Sequence, residues 1–184
     1  MESVLRLIGG SEVHCADGHC GSLARLVIEP DTKTVSHLSV EVPGLSGASR
    51  LVPVALVKEA GESVLLGCTK ADFDAFEHGE ETHVAPDLVI RGGGLPFSYL
   101  TLDRIPVGDV EVSGEERIEA TDGHIGRLRG LEVESIGFEI SLVLLEIGHL
   151  SGKRTVEVAA SAVTQISGDE MKLSMTKAQV AELP

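Results

Sequence analysis

The chain has 184 residues, with 15 Lys and Arg against 29 Asp and Glu, a formal net charge of -14 at pH 7. That length holds one medium domain or two small ones, and 42% hydrophobic residues can bury a core, which excludes a disordered chain. The acidic excess argues against direct nucleic-acid binding, which rests on Lys and Arg neutralising phosphates, and one Tyr with no Trp leaves little to stack bases on.

No apolar run reaches the roughly 18–20 residues of a membrane span, so no membrane insertion is expected. Three Cys, an odd number, do not make a disulfide framework. A reducing cytoplasm is the expected location.

In chain order, the first signal is Asp17-Gly18-His19-Cys20-Gly21, a turn in which Asp bonds its local backbone and Gly accepts positive φ. Leu26 and Ile28 then share a strand face while Leu23 falls out of phase, which predicts a β-bulge near Ala24-Arg25. The stretches 38–42 and 52–56 alternate with period 2, as half-buried strands do. Gly61 marks a further hairpin turn. Thr69 is a candidate helix N-cap with Asp72 at N3, and Phe73 and Phe76 have the i, i+3 spacing that pins a helix face onto a sheet.

Residues of about 77–112 match nothing else in the chain. They include Gly92-Gly93-Gly94, Pro86, Pro96 and Pro106, with an apolar load at Leu88, Val89, Ile90, Leu95, Phe97, Tyr99 and Leu100. A solvated linker would not carry that load, so the segment is expected to be partly extended and packed on a neighbour. The three glycines lack the Gly-Lys-Ser/Thr ending of a phosphate loop.

The first pattern then returns. Asp122-Gly123-His124-Ile125-Gly126 repeats the turn, and Leu128, Leu131 and Val133 stand opposite Leu23, Leu26 and Ile28. Ile140, Val143, Leu145 and Ile147 match Val35, Leu38, Val40 and Val42, and Arg154, Val156 and Val158 match Arg50, Val52 and Val54. A second bulge is expected at Arg129-Gly130, a hairpin turn at Gly168, and a second helix capped by Thr176 with Gln179 at N3 and anchored by Val180 and Leu183. Such an ordered match defines an internal repeat. The expected organisation is a first repeat over 1–84, a connecting segment over 85–110, and a second repeat over 111–184.

The Asp-Gly-x-x-Gly turns (Asp17, Gly18, Gly21; Asp122, Gly123, Gly126), followed by two apolar strands and then Val52-Pro53-Val54 or Val156-Glu157-Val158, resemble the PRC-barrel domain. The second copy, with Gly148-His149-Leu150-Ser151-Gly152-Lys153-Arg154 before its last strand, is the nearer match to bacterial tandem PRC-barrel proteins. The resemblance implies a mostly β chain of two small PRC-like β-barrels in tandem, each closed by a short helix. The family includes the cytoplasmic part of the photosynthetic reaction centre H subunit and the C-terminal domain of a small-subunit ribosome maturation factor, both docking modules. This chain shows neither the membrane helix of the one nor the separate N-terminal domain of the other. The resemblance therefore implies docking without naming a partner, since fold does not fix function.

Site chemistry is sparse. His14-Cys15-x-Asp17-x-His19-Cys20 is the one cluster with metal-ligand character, but zinc usually takes two ligand pairs from separate segments. Alternation sends His14 and Cys15 to opposite faces, and Glu119, Ala120 and Ile125 replace His14, Cys15 and Cys20 in the second copy. Neither a metal nor another cofactor is expected. No nucleophile–base pair stands out, so no enzymatic activity is expected. The strand 140–147 is apolar on both faces, because Leu142 and Leu144 replace His37 and Ser39. It needs cover from the central segment, the other repeat, a second copy or a partner, which makes Ile140, Leu142, Leu144 and Ile147 the candidate interface. The expected function is protein docking, with self-association possible. A small-molecule or metal-responsive binding protein and a structural homo-oligomer are the alternatives.

Overall fold

The computed structural model describes residues 4–44, 48–85, 98–103, 105–148 and 152–184, with backbone alone for 80–85 and 98–103. Gly92-Gly93-Gly94, the apolar residues Leu88, Val89, Ile90, Leu95 and Phe97, and the His149-Leu150-Ser151 stretch lie outside the described residues.

The first half runs β1 (Val4–Ile8), β2 (Glu12–Cys15), β3 (Gly18–Glu29), β4 (Thr34–Glu41), β5 (Ser49–Pro53), β6 (Val57–Ala60), β7 (Ser63–Leu66) and helix α1 (Lys70–Asp74). A two-stranded hairpin follows, β8 (Glu80–Ala85) with β9 (Ser98–Asp103). The second half runs β10 (Val110–Val112), β11 (Arg117–Ala120), β12 (Gly123–Glu134), β13 (Ile140–Ile147), β14 (Arg154–Ala159), β15 (Val163–Ile166), β16 (Glu170–Leu173) and α2 (Lys177–Ala181). The chain is mostly β, in two sheets of seven strands each.

One sheet has the order β5-β4-β3-β2-β7-β6, and the other has the matching order β14-β13-β12-β11-β16-β15. Among the described residues no hydrogen-bonded ladder joins the end strands, so neither sheet is closed into a barrel by pairing. The bulges stand where the phase slip placed them: the β3–β4 register shifts between Leu23 and Arg25, and the β12–β13 register between Leu128 and Gly130. One extra residue bends each long strand and strengthens its twist. Its two ends can therefore meet different partners along one edge.

Those partners come from different halves. The first part of β12 pairs with β11, and its last part pairs with β1, Leu5 facing Val133 and Leu7 facing Leu131. Reciprocally, β3 pairs with β2 and then with β10, Val110 facing Ile28 and Val112 facing Leu26. Under the repeat alignment β1 and β10 are the same element, so the halves have exchanged their first strands. The boundaries expected at 84 and 111 do not follow the sheets, since β1 completes the second and β10 the first. The buried side chains form one cluster that runs through both halves.

Charge explains the choice. Arg6 of β1 reaches Glu132 at 2.9 Å and Glu157 at 2.9 Å, and Glu111 of β10 meets Arg25 at 2.8 Å. Without the exchange, Arg6 would lie beside Arg25, and Glu111 beside Glu132. Each half would then hold a like-charge pair, which is unfavourable across a strand pair. The hairpin turns also meet reciprocally: Val35 N–H donates to Phe138 O at 2.9 Å, and Ile140 N–H to Lys33 O at 2.8 Å. Both Lys33 and Phe138 hold positive φ at equivalent positions.

Candidate functional site

The repeated Asp-Gly turn does more than reverse the chain. Asp17 Oδ1 accepts the N–H of Lys70 at 2.8 Å, and Asp122 Oδ1 accepts that of Lys177 at 2.8 Å. Each carboxylate thus satisfies an orphan donor at a helix start. Thr69 and Thr176 complete a capping box with Asp72 and Gln179, and Phe73 and Val180 are buried on the core. The Thr69 hydroxyl and N–H hold the Asp72 carboxyl below its usual range. Gly21 and Gly126 are fixed by crowding, since a Cβ on either would collide with the carbonyl oxygen of Glu41 or Glu146.

The His14–Cys20 cluster divides into two chemistries. Cys20 is the extra residue of a bulge in the β2–β3 ladder, where Val13 faces Gly21 and His14 faces His19. His14 and His19 lie outward, His14 half-buried and His19 exposed, while Cys15 and Cys20 are buried with Cys68. All three thiols are free. Burial, and then contact with Cys20, pushes Cys15 up to about 12. Burial and the neighbouring Cys15 push Cys68 up to about 11, and burial raises Cys20 as well. Thiols held protonated in an apolar core are inert nucleophiles and poor metal ligands. Among the described residues, no group of three or more His, Cys, Asp or Glu side chains is arranged to hold a metal ion.

The candidate interface on β13 is largely filled by the chain itself. Ile140, Leu144 and Ile147 are buried, and Leu142 alone of the four is half-buried. Ile140 and Ile147 belong to the common core, whereas Leu144 lies outside that cluster. Leu144 faces Gly130 on one neighbour and Glu157 on the other. Because β13 runs between β12 and β14, the Arg6 guanidinium that bonds both Glu132 and Glu157 spans it.

A cleft of about 390 Å³ between the halves is lined by Arg25, Ile105, Val110, Glu111, Ser113, Glu116 and Gly168. Its polar groups are already engaged with one another. Arg25 pairs with Glu111, and the buried Glu116 carboxylate accepts the N–H groups of Ser113, Gly114 and Glu115 and the Ser113 hydroxyl. Nothing there has the convergent polar groups of a prepared ligand site.

The outer side of β5 is covered by the chain itself. After α1, residues 77–79 lie along β5, with Leu51 N–H donating to Glu77 O at 2.9 Å and Gly79 N–H to Ser49 O at 3.1 Å. Beside β14, Arg154 donates to Leu183 O at 3.1 Å and to Ala181 O, as Arg50 of β5 donates to Phe76 O at 3.2 Å. Sequence reading missed this edge because a residue's hydrogen-bonding partner across a ladder leaves no mark in composition. It also missed β10. Continuing the repeat alignment back from the turns sets Val110, Val112 and Gly114 against Leu5, Leu7 and Gly9, a signal that was there to find.

No protein-family profile matches the chain, and a search of curated proteins finds no match. No helix among the described residues is long and apolar enough to cross a membrane.

Proposed function

We propose that this is a non-enzymatic, cytoplasmic docking module of two PRC-like units, each a barrel-like sheet closed by its short helix, and that a basic protein partner adds a strand to β14. The carrying observation is the position of β14 at the end of its sheet's order, with no strand paired to its outer side among the described residues. An uncovered edge offers a row of backbone donors and acceptors to an extended peptide. By equivalence with Leu51, Thr155 turns its N–H outward. The net charge of -14 favours a basic partner and opposes pairing with a second copy.

A photo-crosslinking amino acid at Ala159, in the full chain expressed in its native cells, tests this reading. The expected result is one covalent adduct to a basic protein, lost when Thr155→Pro removes the outward N–H of an edge strand that tolerates proline. An adduct unaffected by Thr155→Pro overturns strand addition. An adduct only to another copy of the chain replaces the adaptor with a structural homo-oligomer.

A further inference from the structure

We infer that the outer face of the β2–β3 hairpin binds a divalent transition-metal ion of the zinc, nickel or copper(II) class, with His14 and His19 as its two protein ligands and water in the remaining positions. This goes beyond the docking reading and does not depend on it.

His14 and His19 face each other across the antiparallel ladder, and their ring centres stand 5.3 Å apart with planes at 73°. With metal–nitrogen bonds of about 2.0–2.1 Å, two imidazoles on one tetrahedral ion have ring centres about 5 Å apart. The two rings thus stand close enough for one ion to take a nitrogen from each. The Glu12 carboxylate stands 3.4 Å from His14 Nε2. A carboxylate at that nitrogen can hold the imidazole while the other ring nitrogen takes the metal.

The rest of the hairpin narrows the ligand. The bulge at Cys20 leaves both neighbouring thiols buried, away from the face that carries the two imidazoles. An all-imidazole set suits zinc, nickel and copper(II) rather than copper(I), which prefers sulfur. The hairpin is held in place, since Asp17 is bonded to the start of α1. The negative field of the chain raises the local cation concentration. The second repeat supplies an internal comparison: Glu119 faces His124 in the same register, 3.6 Å away, with one imidazole instead of two.

The test is calorimetric titration of the full chain without an affinity tag, using zinc chloride and nickel chloride as probes. Imidazole nitrogen–proton correlation spectra are recorded in parallel with zinc. The expected outcome is one ion per chain, with the His14 and His19 signals moving together. His14→Gln or His19→Gln abolishes saturable binding, Glu12→Gln weakens it about tenfold, and His124→Gln leaves it unchanged. Equal unfolding midpoints for the metal-free variants establish that the fold is intact. Binding that survives His14→Gln and His19→Gln, binding lost equally in His124→Gln, or no saturation at millimolar ion each overturns the assignment.

Discussion

Gly9 and Gly114 stand against each other where the exchanged strands pass, at equivalent positions of the two halves. A Cβ on Gly9 would lie 2.6 Å from the backbone oxygen of Ser113, and one on Gly114 would lie 3.6 Å from the Gly9 Cα. Both linkers are therefore at contact distance, backbone on backbone. Gly9→Val should destabilise the protein by about 1–3 kcal/mol through forced backbone displacement. Urea unfolding measures it, and an unchanged midpoint would mean that the crossing is looser than described.

Arg6→Glu would place a third carboxylate between Glu132 and Glu157, which now share the Arg6 guanidinium. Arg6 is partly exposed, so the loss should be modest, about 1 kcal/mol, and should shrink as salt screens the repulsion. A penalty independent of salt would assign the effect to packing alone.

Asp122→Ala removes the acceptor of the Lys177 N–H, and Asp17→Ala that of Lys70. Each should cost about 0.5–2 kcal/mol, as other helix-cap deletions do. Amide hydrogen exchange should accelerate at the first turn of α2 in one variant and of α1 in the other. Equal exchange in variant and wild type would reduce Asp to a turn-former.

The thiols give a pH dependence with a definite sign. With Cys15 raised to about 12 and Cys68 to about 11, the folded chain keeps protons that the unfolded chain releases above its thiol pKa of about 8.5. The folded state then binds more protons than the unfolded one, so stability falls as pH climbs from roughly 9 toward 12. Cys15→Ala, which copies Ala120 of the second half, should flatten that slope in urea midpoints taken between pH 8 and 10. An identical slope would exonerate the thiols.

Local chemistry was legible in the sequence, and partner choice was not. The phase slip at Leu23 and Leu128 located both bulges because period 2 leaves no other place for the extra residue. Thr69 and Thr176 were recognisable caps because the box needs a hydroxyl and a side-chain acceptor three residues later. The strand exchange escaped because Leu5 and Leu7 alternate equally well against Ile28 and Leu26 as against Val133 and Leu131. Alternation tells a strand which face to bury, never which half to join. The charges at Arg6, Arg25, Glu111 and Glu132 distinguish the pairings, as does Gly130, where a Cβ would lie 2.5 Å from Leu7 O, and reading them requires the register first.

The exchange also sets a schedule for biosynthesis. The β1 strand leaves the ribosome more than a hundred residues before β12, its final partner. At about 5–20 residues per second the wait is several seconds or more. During that interval β3 is already available and matches β1 in register, though with Arg6 set against Arg25. Any early pairing of that kind must be undone when β10 arrives with Glu111 to claim β3. The charge pairs at the crossing thus disfavour an early pairing of β1 with β3 and favour the later partner.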